Sequence, residues 1–369
     1  MSNFLEAPTK FAWPRLGWGG TLARFTLIGV ILAAVAAIFA YLGGWFTPNA
    51  LTPARFADGF EQVNGVHHGF RRFHPKGVGV SGFFESNGNG ARLSKAAVFQ
   101  PGRVPVIGRF SLGGGLPDAA DMPDTVRGLG LEFSLPGHEL WRTTMINLPV
   151  FPFRTPEAFY EQMLASKPDP KTGKPDADKM KAFLKHHPET VQALKIAKSQ
   201  PASSGFANST FYALHAFRLT NAAGASTPVR WLLTPEQPFE AVNAAPAARD
   251  KKYLFEGLIA AVHRRPLRWH LIVTVGQPGD PTNDATLPWP ENREKVDVGT
   301  VTLDRVESDD TSAATDVNFD PLVLPNGIAP SDDPLLSARS AVYSQSYTRR
   351  AGEKKQPSAI TPDDVRKGE

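Results

Sequence analysis

The histidine in Arg71-Arg72-Phe73-His74-Pro75-Lys76-Gly77-Val78-Gly79 is the first residue whose type points to chemistry. An imidazole titrates near neutral pH, so it can take a proton from one atom and return it to another. Alone, such a histidine is usually a satisfied core or surface residue. The second is the tyrosine in Arg339-Ser340-Ala341-Val342-Tyr343. A phenol has a free pKa of about 10 and ligates a metal ion well only as phenolate. The metal favours that anion, and so does a neighbouring cation. Arg339 lies four residues before Tyr343, one helical turn away, where a guanidinium can reach the phenol oxygen. By itself Arg-x-x-x-Tyr occurs by chance in many helices. Arg71 and Arg109 add planar forks of the kind that grip a carboxylate at two points.

These residues need a scaffold. The chain has 369 residues, room for one large domain or two small ones. Its net charge is +4, from 40 basic and 36 acidic residues, too balanced to argue for nucleic acid, and no basic stripe interleaved with aromatics occurs. Cysteine is absent, which excludes disulfides, thiolate metal sites and cysteine nucleophiles.

Residues 25–46 form an uncharged apolar run long enough to cross a bilayer as one helix, with Tyr41 and Trp45 suited to the far interface. Lys10, Arg15 and Arg24 precede it and only Glu6 opposes them. The positive-inside rule then puts the amino terminus in the cytoplasm. The expectation is a single-pass protein of the cell inner membrane, its main domain on the periplasmic side. A cleaved signal peptide competes, but the run is long and lacks a clean small-x-small site. The expected layout is a tail at 1–24, the span at 25–46, a linker at 47–55, a globular domain at 56–350 and a charged, frayed tail at 351–369.

Val-, Ile- and Phe-rich runs bounded by Gly and Pro predict strands at 77–85, 96–99, 104–112, 129–135 and 140–147. Helices are predicted at 155–165, with Thr155 as cap and Pro156 in the first turn, and at 176–187 and 189–199. Further strands are predicted at 209–220, 228–234, 267–275 and 296–306. An amphipathic helix at 250–264 and a helix at 334–342 complete the pattern. The pattern supports α+β. The run Gly113-Gly114-Gly115 reads as a loop hinge, and Gly77 and Gly79 as places where backbone passes close to a flat ligand.

The stretch from Arg71 through Glu85, followed by Leu93-Ser94-Lys95-Ala96-Ala97-Val98-Phe99, Arg109-Phe110-Ser111 and Arg339-x-x-x-Tyr343, resembles the catalase family. The resemblance runs from about Phe56 to Arg350. It implies an eight-stranded antiparallel β-barrel with helical insertions and a b-type haem. His74 would be the distal base, its ring fixed by Ser111, and Tyr343 the iron ligand. Arg71 and Arg109 would hold the propionates, Phe159 would pack against the haem, and Arg350 matches a basic position seven residues past the ligand. His215 and Asp333 would form a relay with Arg339. One departure stands out. In Met145-Ile146-Asn147-Leu148-Pro149-Val150-Phe151, Ile146 occupies the family's place for a catalytic asparagine and Asn147 matches the next one. Asn147 is the candidate distal donor if the backbone shifts locally. The family's helical domain after the tyrosine is not represented, so the resemblance is to the barrel-only branch, the catalase-related peroxidases. It implies reduction of hydrogen peroxide, or of organic hydroperoxides, by an unidentified organic donor, with weak catalase activity. The alternatives are a true catalase and a membrane-tethered haem carrier or sensor. The implied partners are peroxide, that donor and a bilayer through residues 25–46, with a homodimer as candidate assembly.

Overall fold

The structure is a computed structural model that describes residues 17–42, 50–242 and 251–367. It divides into two units, Met1–Thr52 and Pro53–Glu369. In the first, helix α1 (Trp18–Leu42) has 25 residues. At about 1.5 Å per residue it exceeds the roughly 30 Å of a bilayer's hydrocarbon core. Apolar side chains are exposed all round it, among them Leu22, Phe25, Ile31, Val35 and Phe39. The helix begins earlier than the apolar run and takes in Arg24; residues 43–46 of that run lie outside the described residues.

The second unit opens with helix α2 (Pro53–Asn64) and four strands, β1 (Gly77–Ser86), β2 (Gly102–Leu112), β3 (Arg127–Ser134) and β4 (Leu140–Ile146). Helices α3 (Pro156–Ala165), α4 (Ala177–His186) and α5 (Pro188–Ser199) follow. Then come β5 (Phe211–Tyr212), β6 (Phe217–Thr220), β7 (Ser226–Pro235), helix α6 (Tyr253–Arg264), β8 (Leu267–Val275) and β9 (Lys295–Ser308). The last elements are β10 (Ile328–Pro330) and helices α7 (Pro334–Ala351) and α8 (Pro362–Arg366). The strands lie in the order β10-β6-β7-β5-β4-β3-β2-β1-β9-β8, and β7 also pairs with β8. That last pairing closes eight strands into an antiparallel barrel and leaves β6 and β10 outside the ring.

Strand alternation gives each wall two faces. Phe110 of β2 points inward and meets Phe211 and Trp269 from the far side of the ring, with centroids 5.7 and 6.0 Å away. Its neighbours Arg109 and Ser111 therefore face outward. Their pairing partners on β3 are Gly130 and Gly128, and Thr144 and Ile146 of β4 pair with the same two glycines. This outer face of β2, β3 and β4, covered by α2, α3 and α7, is where the candidate site lies.

Four expectations are corrected. Residues 96–99 hold a short 3₁₀ turn, Ala97–Phe99, not a strand. The strand expected at 209–220 is cut into β5 and β6 because Leu214 takes a left-handed φ of 68°. Helix α7 runs on to Ala351, since nothing breaks it before Gly352. The carboxyl-terminal stretch docks rather than frays: Ile360 and Val365 join the main core, and Thr361 and Asp364 form a capping box on α8.

Candidate active site

His74 has a φ of 59°, a left-handed backbone costly for a residue with a Cβ. Three bonds hold it there. His74 N donates to the Gly114 carbonyl at 2.8 Å, Arg109 Nη1 donates to the His74 carbonyl at 2.9 Å, and Arg109 Nη2 to the Pro75 carbonyl at 2.8 Å. Ser111 Oγ lies 3.1 Å from Nδ1. A Cβ on Gly128 would stand 3.1 Å from both Nδ1 and Cε1, so the imidazole lies across bare backbone. The Phe73 ring closes one side, edge-on at 4.9 Å. Burial, reinforced by Arg109, Arg339 and Arg71, lowers the imidazole pKa to about 3, so the ring is neutral at ordinary pH. Among the described residues Nε2 makes no hydrogen bond.

Helix α7 supplies the opposite group. Arg339 Nη2 donates to Tyr343 Oη at 3.1 Å and to Thr144 Oγ1 at 2.7 Å. His215 Nδ1 meets Asp333 Oδ2 at 2.7 Å, and Asp333 Oδ1 also caps α7 by accepting from Leu335 N at 2.9 Å. Burial lowers the His215 pKa and the Asp333 carboxylate opposes it. Among the described residues, His215 Nε2 is buried without a partner. The relay residues are thus assembled in two pairs, Arg339 with Tyr343 and His215 with Asp333.

Three arginines converge beside them. Arg109 pairs with Asp309 at 2.6 Å. Arg71 Nη2 donates only to the carbonyls of Ala314, Thr315 and Val317, at 3.0 to 3.2 Å. Arg350 donates to Thr315 O at 2.6 Å and Val317 O at 3.2 Å. Among the described residues neither Arg71 nor Arg350 has a carboxylate within 4 Å. Burial, and repulsion from the nearby Arg109, hold both guanidinium pKa values down. A half-buried and a buried guanidinium hydrogen-bonded only to carbonyls are what a guest with two carboxylates would balance.

His74, Ser111, Arg71, Arg109, Arg339, Tyr343 and Arg350 line one cavity of about 610 Å³, within the usual 300–1,000 Å³ or so of ligand sites, whereas His215, Asp333 and Asn147 do not line it. Phe159 lines it from α3, stacked on Phe153 at 5.0 Å. Ile146 lines it too, whereas the Asn147 Oδ1 accepts from Arg127 N at 2.8 Å. Gly77 and Gly79 do not face the cavity. The space a Cβ would take at Gly77 holds the Arg109 guanidinium, and at Gly79 the Ser312 side chain. The close-approach glycines are instead Gly128, under His74, and Gly130, under Phe319. Their Gly-x-Gly spacing, with Gly128 just before the strand expected at 129–135, was a usable signal. Asp309 and Phe319 sit in stretches that read only as loop, and Gly114 acts through its carbonyl, which sequence does not reveal.

Comparison with known proteins agrees with this geometry. The catalase family model matches residues 50–360. A catalase-related peroxidase of Synechococcus elongatus is 38% identical, over 88% of this chain and 96% of that protein. One of Mycolicibacterium paratuberculosis is 32% identical, over 82% and 96%. Among solved structures, a bacterial catalase aligns with a TM-score of 0.68 at 24% identity, covering 77% of this chain and 58% of that one. Catalase A of Saccharomyces cerevisiae aligns at 0.69 and 22%, covering 77% and 61%, so the chain spans about three-fifths of these catalases. With the barrel, the cavity on its outer face and these matches in agreement, the chain belongs to the catalase family.

Proposed function

We propose that this protein is a haem-dependent peroxidase that reduces peroxide with electrons from an organic donor, with weak catalase activity beside it. The observation that carries the reading is one cavity holding a neutral imidazole, a phenol paired with arginine, and two guanidiniums lacking carboxylates. The relatives named catalase-related peroxidase support the same activity.

The residues fit a haem. Arg71, Arg109 and Arg350 would hold its two propionates, Tyr343 would ligate the iron and Phe159 would pack against the ring. The family resemblance implies a b-type haem, and a chain without cysteine has no thiol for a thioether-linked one. When bound, it supplies a redox-active iron. The rest falls to the chain. Neutral His74 accepts a proton from one peroxide oxygen at Nε2 and returns it to the other, which leaves as water. Ser111 Oγ fixes the ring for both transfers. Arg339 stabilises the Tyr343 phenolate by donating to its oxygen, a charge-assisted bond stronger than a neutral one. Haem titration into the fragment from Pro53 tests the reading. A Soret band that is lost in Tyr343→Phe, with peroxide consumed when an organic reductant is added, is expected. No Soret band in haem-fed protein would overturn it.

We further propose that α1 anchors the chain in the inner membrane with the second unit on the periplasmic side. Support comes from its length, its uncharged apolar run from Phe25 onward and the basic residues Lys10, Arg15 and Arg24. Retention in membranes after carbonate extraction, with the second unit digested by external protease in spheroplasts, is expected; release into the soluble fraction as a shortened chain would mean a cleaved signal.

A further inference from the structure

We infer that Asp309 is a positioning residue for the peroxide reaction: its carboxylate holds Arg109 in place, and Arg109 holds the backbone that carries His74. This role deepens the peroxidase reading and rests on it. Of the three hydrogen bonds that hold the left-handed His74 backbone and the residue after it, two come from Arg109. A residue with a Cβ leaves that region for a commoner one unless its surroundings prevent it. Leaving it would swing the imidazole off Gly128 and away from Ser111 Oγ. The base is therefore placed only as well as Arg109 is.

Arg109 owes its own place to Asp309. Its guanidinium fills the space a Cβ would take at Gly77, so it rests on bare backbone there. Asp309 accepts from Nε through both oxygens at 3.0 Å and from Nη2 through Oδ2 at 2.6 Å. A fork gripped at two points keeps its plane as well as its position. Among the described residues these bonds leave one Nη1 N–H for a guest carboxylate. Asp309 is fixed in turn by Thr315, whose Oγ1 donates to its carbonyl at 2.6 Å in the turn after β9. Burial alone would raise its pKa, but Arg109, Arg71 and Arg350 lower it, so the carboxylate is ionised at neutral pH.

The grip matters most when the cavity is filled. A propionate beside Arg109 would draw the guanidinium off the His74 and Pro75 carbonyls, because a charged acceptor outcompetes a neutral one. Asp309 does not line the cavity and opposes that pull from outside it.

The test uses Asp309→Ala and Asp309→Asn. Asp316→Asn is the control, since Asp316 lies in the field of Arg71 but pairs with exposed Lys355. In haem-free protein, amide hydrogen exchange is read by mass spectrometry over residues 70–77. It should be about tenfold faster or more in Asp309→Ala, less so in Asp309→Asn, which keeps an acceptor oxygen, and unchanged in the control and in β4 and β7. Haem affinity should not fall, because the variants remove a negative charge from beside the arginines. The stopped-flow rate with peroxide should fall up to about a hundredfold in Asp309→Ala, the scale of a catalytic group displaced by about 1 Å. Asp309→Asn carries the test if the alanine variant does not fold. Wild-type exchange at 70–77, or an unchanged rate, overturns the inference and leaves the peroxidase reading intact. Faster exchange spread evenly over the barrel, or haem affinity falling in step with the rate, also overturns it, since Asp309 would then serve the fold or the haem and not the base. A wild type that binds haem yet does not react with peroxide overturns the peroxidase reading itself, and this inference with it.

Discussion

A neutral imidazole is the form of His74 that can begin a proton transfer, and the same forces that keep it neutral make it sensitive to acid. If His74 is the base, His74→Ala slows reaction with peroxide by at least about a hundredfold, the usual scale for such a group, as read by stopped-flow on haem-loaded protein. A smaller loss removes it from the mechanism. Folding carries a second signature. The pKa of His74 is lowered from about 6.5 in the unfolded chain to about 3, so on acidification the unfolded chain binds its proton first. The stability this group contributes is fully present above pH 6.5 and drains away as the pH falls toward 3. Thermal melts of haem-free protein between pH 7 and 4 should show a steeper decline in wild type than in His74→Gln. Parallel curves would mean that His74 is not held neutral.

At the scale of elements, α7 does most of the gathering. Arg339, Tyr343, Tyr347 and Arg350 line the cavity from one helix, three or four residues apart, which is the spacing of a single helical face. Strand β3 contributes by omission, leaving bare backbone at Gly128. Gly128→Ala would put a methyl 2.9 Å from Ser111 Oγ and 3.1 Å from the His74 ring. Overpacking of this kind costs about 1–3 kcal/mol. Urea titration should show that loss, and haem-loaded protein should react more slowly with peroxide as His74 is pushed aside. The long strands were legible in sequence because Val, Phe and Ile mark β1, β2, β8 and β9. The cut at Leu214 was not, because leucine gives no sign of a left-handed turn. That turn delivers His215 to Asp333, so the residue pair was foreseeable only from the family resemblance. His74, Tyr343 and Arg339 drew notice by type, but only the family resemblance raised them above chance. Asp309 did not, since its role depends on a fold that brings it beside Arg109, two hundred residues away in sequence.

Across the whole second unit, the cavity is roofed by segments from both ends of the sequence. Arg72 pairs with Glu61 of α2 and with Glu353 beyond α7, and Arg349 reaches Asp58 at 2.6 Å and Glu61 at 3.1 Å. Burial lowers nothing here: the Arg72 pairing and the Gly69 N–H hold the Glu353 carboxyl down to about 2. Truncation after Gly352 would strip Arg72 of that partner and remove Ile360 and Val365 from the core. At about 1.5–3 kcal/mol for each such side chain, a clear fall in Tm is expected, and an unchanged melt would show the tail to be dispensable. The two unanswered guanidiniums reach further. If Arg71 and Arg350 hold the two propionates as proposed, a haem that neutralises them would also stabilise the fold. Occupancy and folding become one equilibrium. On that proposal, molecules short of the cofactor would open more often, and the standing amount of protein would follow the supply of its prosthetic group.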